Sequence, residues 1–160
     1  MLKPVLMALT LAFAPALPAA ALDGPEETVK RIYAMEDWYG GSQGPGTLLA
    51  RDLAAALRKD AATDEPSPAA DRDWRYGSNA DYDVSSVVIE SGVPVPSPRG
   101  QTWMEVTVHY RDFNAPKTLV WRMCLASKGW RVADVRGEYA PGAAWSVRQD
   151  FGLRQDRVKC

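Results

Sequence analysis

The sequence predicts an α+β domain, and three features of its patterning carry that expectation. Two stretches in the first half place apolar residues at helical spacing. From about Asp83 onward the pattern changes to strict alternation of apolar and polar residues, the period of half-buried strands. Segments rich in Gly and Pro separate these blocks. Helices gathered on one side of an antiparallel sheet with one apolar face make an α+β layout.

The chain opens MLKPVLMALTLAFAPALPAAALDG. Lys3 supplies a positive start, Val5 to Phe13 an apolar run, and Ala19-Ala20-Ala21 a small-residue cleavage site, so residues 1–21 are expected to be a signal peptide. Pro15 and Pro18 break the run, which is too short to serve as a stable membrane anchor. No cysteine follows the cleavage site and no twin arginine precedes the apolar run, which points to export unfolded and a periplasmic or secreted protein. Residues 22–160, about 140 in number, suffice for one domain with one core.

Across the chain 19 basic residues face 20 acidic ones, with a single His. That balance lacks the basic face that nucleic acid requires. The two cysteines, Cys124 and Cys160, read first as a disulfide in an exported chain, with a free or intermolecular thiol at Cys160 as the alternative. One His and no Cys-x-x-Cys spacing make a poor zinc site, and no cofactor or metal is expected.

The elements follow in order. Residues 23–40 carry helix marks: Asp23 or Gly24 as cap, Pro25 at the first position, Glu26 and Glu27 against the dipole, and Gly40-Gly41 as the stop. Val29, Ile32 and Tyr33 share one face. Thr47 is expected to cap a second helix, with Leu49, Leu53, Ala56 and Leu57 recurring up to about Asp60. Residues 61–83 read as a long connection anchored by Trp74 and Tyr76. DVSSVVIESG is a strand, and VPVPSPRG is too Pro-rich for a central ladder. In TWMEVTVHYRDF, Met104, Val106, Val108 and Tyr110 face one way, and Trp103, Glu105, Thr107, His109 and Arg111 the other. KTLVWRMCLAS sets Leu119, Trp121, Met123 and Leu125 against Val120, Arg122 and Cys124. GWRVADVRG is expected to close the sheet. Ala144, Val147 and Phe151 predict a short C-terminal helix ended by Gly152.

This order resembles the nuclear transport factor 2-like superfamily, in particular its secreted bacterial domains of unknown function. The matching residues are Ile32-Tyr33 and Trp38-Tyr39, then Leu49, Leu53 and Leu57. The Asp71, Asp73, Asp81 and Asp83 segment and Gly129-Trp130-Arg131-Val132-Ala133-Asp134-Val135 also match. The resemblance implies a cone, a curved sheet wrapped around N-terminal helices with an open end that admits a ligand. It implies no single reaction, because the superfamily mixes isomerases, dehydratases, binding modules and interaction domains.

Candidate chemistry centres on Glu36, which falls on the stripe of Val29, Ile32 and Tyr33. A carboxylate facing the cone interior would have its pKa raised by desolvation and could act as base or acid beside Tyr33 or Tyr39. The competing reading puts Glu36 in water at the cone mouth or beside an arginine. Tyr33, Glu36, Tyr39, Tyr110 and Trp121 are the candidate pocket residues. Apolar strand positions such as Val106, Trp121 and Met123 read first as a filled core, with an apolar pocket as the alternative. His109 reads as a solvated surface residue. The Asp71/Asp73 and Asp81/Asp83 pairs lack the spacing of a calcium loop and fit turns. The Gly-rich stretch from Gly40 to Gly46 follows a helix and has no Lys-Ser/Thr end, so it is no phosphate loop.

The leading expectation is an exported, non-catalytic binding or interaction domain. It would hold a small apolar or amphipathic ligand, or dock an envelope protein. The alternative is an isomerase or hydrolase-like enzyme using Glu36 and a tyrosine. The face carrying Trp103, Glu105, Thr107, His109 and Arg111 is a candidate homodimer surface, since an exposed tryptophan on a sheet invites cover.

Overall fold

The computed structural model describes residues 23–35, 46–65, 67–78, 83–97 and 100–160. The expected signal peptide, Glu36, Trp38, Tyr39 and Asp81 lie outside these residues. The architecture is α+β, built on a curved, unclosed antiparallel sheet of six strands. These are β1 (Val84–Ile89), β2 (Val93–Pro94), β3 (Trp103–Asp112), β4 (Ala115–Ala126), β5 (Gly129–Glu138) and β6 (Ala144–Ser146). The order is β1-β3-β4-β5-β6, with β2 pairing the same edge of β3 as β1. Among the described residues, no helix is long and apolar enough to cross a membrane.

Helix α1 (Pro25–Tyr33) begins as its sequence dictates, with Pro25 in the first turn and Glu26 and Glu27 beside the positive end of the dipole. Val29 and Ile32 are fully buried. The helix ends at Tyr33, several residues short of the Gly40 stop read from the sequence. Tertiary bonds intervene there: the Tyr33 hydroxyl donates to the Arg75 carbonyl, and Arg75 Nη1 donates to the Met35 carbonyl. The second of these bonds takes up a backbone carbonyl that a continuing helix would use.

Helix α2 (Arg51–Asp60) starts three residues later than the Thr47 cap predicts, its N-cap being Ala50. Leu48 to Ala50 are instead held beside β5, through Val132 N–H to Leu48 carbonyl (2.7 Å) and Ala50 N–H to Val132 carbonyl (2.8 Å). Leu49, Leu53 and Leu57 are buried as their spacing requires. The connection after α2 contains helix α3 (Pro68–Asp71) and then turns through Asp73–Ser78. Trp74 anchors it, buried and donating from Nε1 to the Ala69 carbonyl at 2.8 Å.

The central hairpin β3–β4 is the backbone of the sheet, paired from Trp103↔Cys124 to Asp112↔Ala115. Its turn residues, Phe113 and Asn114, sit at φ 45° and 64°. Two such residues give a tight hairpin the twist that its strands need. In β5, Arg122 pairs Asp134 while Met123 pairs Val132, so Ala133 is an extra residue. The resulting bulge lets both Val132 and Val135 face the core beside Met123 and Trp121, all without exposure.

The C-terminal region departs from expectation. Ala144–Ser146 is a strand, so β5 does not close the sheet. Helix α4 (Val147–Asp150) starts after it, with the Ser146 hydroxyl accepting from Gln149 N–H. Ring size decides this: Trp145 lies across two glycines, and a Cβ on Gly137 or Gly77 would come within 2.9 Å or 2.5 Å of its ring. A helix from Ala144 would remove Trp145 from that slot.

The predicted disulfide is present between Cys124 and Cys160, with α-carbons 6.0 Å apart. It brings the tail onto the face opposite Trp121 and Met123. That face is therefore not uniformly solvated. Trp103, the cross-strand partner of Cys124, is 2% exposed, which corrects its reading as an exposed tryptophan.

Candidate functional site

Three of the five candidate pocket residues, Tyr33, Tyr110 and Trp121, meet inside the molecule. Tyr33 packs with its ring tilted at 5.9 Å from Trp121 and edge-on at 5.7 Å to Tyr76, which in turn meets Tyr110 at 5.8 Å. Each of these two hydroxyls has a backbone acceptor. Tyr33 donates to the Arg75 carbonyl and Tyr110 to the Tyr76 carbonyl, both at 2.5 Å. Burial pushes the Tyr33 phenol well above its usual range, the hydrogen bond with Trp121 opposing it only in part. Burial, with the nearby Asp112 carboxylate, likewise raises Tyr110 strongly. Neutral hydroxyls spent on main-chain carbonyls are structural groups. The recess beside them, between Tyr76, Tyr110, Leu119 and Trp145, measures about 120 Å³. Glu36 and Tyr39 lie outside the described residues.

Asp73, one of the acids weighed as an oxygen ligand, is buried against the Arg75 guanidinium, with Nη2 to Oδ2 at 2.7 Å. That ion pair satisfies it without a cation. His109 is exposed, its ring nitrogens 3.0 Å from Thr118 Oγ1 and 3.1 Å from Glu90 Oε1.

A larger space lies on the other face of the sheet. Val120, Arg122 and Arg136 project there from β4 and β5, away from Leu119 and Trp121. The β5–β6 turn at Tyr139–Pro141 rises on one side, and Ser146, Gln149 and Gln155 stand on the other. Together they bound an open cleft of about 800 Å³, a size suited to a small-molecule site.

The cleft owes its shape to buried polar bonds behind it. Asp134, fully buried, accepts from the Ser146 hydroxyl, from the Arg148 N–H at 3.0 Å and from Gln155 Nε2 at 2.9 Å. Arg148, 1% exposed, reaches past it to Asp52 Oδ2 and the Arg154 carbonyl, both at 2.8 Å. These bonds tie β6, α4 and the tail to β5, and the disulfide secures the far end. On the opposite side Arg72 stacks over Trp145 at 4.6 Å and Tyr139 at 5.1 Å and pairs with Asp150 at 2.7 Å.

At the floor, Glu105 Oε1 accepts from Arg122 Nε at 2.9 Å, Arg122 Nη2 at 2.7 Å and Arg136 Nη2. Arg122 also stacks over Trp103 at 5.5 Å. Lys117 and Thr118 extend the polar wall.

Sequence reasoning placed Glu105 on a candidate dimer face and Arg122 on the polar side of its strand, assigned neither to a ligand site, and passed over Lys117, Arg136, Ser146, Gln149 and Gln155. One signal was readable: Glu105 and Arg122 both point outward on neighbouring strands. Nothing in the local pattern shows that the chain's own tail walls in that face. No protein-family model, no curated protein and no solved structure matches the chain.

Proposed function

We propose that this protein is an exported, non-catalytic ligand-binding domain that takes a small amphipathic molecule in the cleft over β4 and β5. The cleft itself carries the reading. It combines about 800 Å³ of space with a charged floor and an apolar wall from Val120, Tyr139 and Pro141. The disulfide suits an oxidising compartment. The helix-then-sheet order and the Gly129–Val135 strand support a nuclear transport factor 2-like cone, though with its ligand on the outer face. Inside, the Tyr33 and Tyr110 hydroxyls have main-chain partners, so the cavity-acid enzyme built on Glu36 draws no support from them.

A thermal-shift screen of small amphipathic compounds on the oxidised protein tests this. Compounds that raise the Tm of the native chain should lose that effect in Ala144→Trp, where an exposed cleft residue becomes a bulky ring. They should keep it in Tyr33→Phe and Glu36→Gln. Shifts that survive Ala144→Trp and vanish in Glu36→Gln would move the site to the interior and restore the enzymatic alternative.

A further inference from the structure

We propose that the ligand of this cleft is an organic carboxylate, bound by Arg122 and Arg136 with its apolar body against Val120 and Tyr139. The inference rests on the cleft being a ligand site and adds the chemical class of the ligand. Charge is the first argument. Two guanidinium groups share one oxygen of one carboxylate, Glu105, so one positive charge on the floor is not neutralised. Lys117 adds a second and Glu138 offsets one of them. The residues that line the cleft, taken with Glu105, therefore sum to one positive charge on a chain whose formal net charge is −1.

Geometry is the second argument. Arg122 is held through Nε and Nη2 by Glu105 and by stacking on Trp103, so its orientation is set before any ligand arrives. Its Nη1 edge makes no hydrogen bond among the described residues. Arg136 reaches Glu105 through Nη2 alone, and its Nε is buried with no acceptor among the described residues. A guanidinium with an unanswered N–H gains by turning to a second carboxylate, which accepts two parallel bonds from such a fork. Ser146 is committed to Asp134 and Gln155, so the arginines are the groups suited to set ligand charge. The apolar wall demands a carboxylate with a hydrocarbon or aromatic body rather than a bare inorganic anion.

Two matched probe pairs test the idea: phenylacetate against phenylacetamide, and octanoate against octanamide. Binding is read by calorimetry and by NMR shifts of the Trp145 and Tyr139 signals. The carboxylate of each pair should bind at least about tenfold more tightly than its amide, the worth of one charge-assisted contact. Its affinity should fall from about 0.05 M to about 0.5 M NaCl while the amide's stays constant. Arg122→Gln and Arg136→Gln should each erase most of the preference. If either variant fails to fold, the amide comparison and the salt series on the native chain still decide. Equal affinity of acid and amide, both abolished by Ala144→Trp, would overturn the carboxylate assignment and leave the cleft as a site. Binding that leaves the Trp145 and Tyr139 signals unmoved would overturn both.

Discussion

Single residues in this protein are settled by whether their polar atoms have partners when buried. The sequence offers Tyr33 and Tyr110 as candidate pocket residues. Each keeps its hydroxyl on a carbonyl of the 75–76 segment instead. Their raised pKa values have a thermodynamic consequence. In the unfolded chain both phenols ionise near 10.0, whereas the folded protein holds them neutral to higher pH. The stabilisation is therefore complete below pH 10.0 and is lost as pH climbs from there toward the folded values. A pH series of urea midpoints should be flat on this account up to about pH 10 and then fall. Phenolate absorbance should show these two tyrosines titrating only with unfolding. Early titration of all six tyrosines in the folded protein would contradict the burial described here. The same rule governs Arg148 and Asp134: buried deep in the molecule, each is answered by several partners, which a charge at that depth requires.

At the scale of elements, local pattern predicted the strands well and the helix ends poorly. Alternation in β3 and β4 assigned Val106, Val108, Leu119, Trp121 and Met123 to one face, and all five are buried. Helix boundaries moved because distant groups competed for the same backbone: Arg75 for Met35, and Val132 for Leu48 and Ala50. The C-terminal segment went furthest from expectation, because Trp145 needs a strand to lie across Gly137 and Gly77. The disulfide is what holds the end of that segment down. Closing a loop over a separation of 36 residues should contribute about 3–4 kcal/mol. Reduction, or Cys124→Ser with Cys160→Ser, should lower the unfolding free energy by about that amount. Denaturation with and without reductant measures it. Unchanged stability would mean that the tail stays docked through Arg148 and Asp134 alone.

For the molecule as a whole, the main correction concerns Trp103, whose expected exposure made one sheet face a candidate dimer surface. Trp103 is covered, beside a cysteine bonded to the tail. Trp103→Ala should therefore cost about 3–5 kcal/mol in stability, as for a large core truncation. Sedimentation of the folded fraction should not change. A variant of undiminished stability but altered sedimentation would return Trp103 to an interface. Among the described residues the large apolar groups that remain exposed are Val87, Val88, Val93 and Phe113, on β1, β2 and the hairpin turn, and Tyr139 beside the cleft.

Fold class, the core side of each long strand and the cysteine pairing were all open to prediction because they depend on local quantities. Those quantities are the period of the apolar residues and the number of cysteines. The candidate site did not yield to that reading. Lys117, Arg122, Arg136, Ser146 and Gln155 come from separate segments, and they meet because the chain's last residues fold back over β5. Sequence period can say which way a side chain points from its strand. Whether water or another part of the chain waits there is settled by contacts between residues far apart in sequence, and that is where this cleft arises.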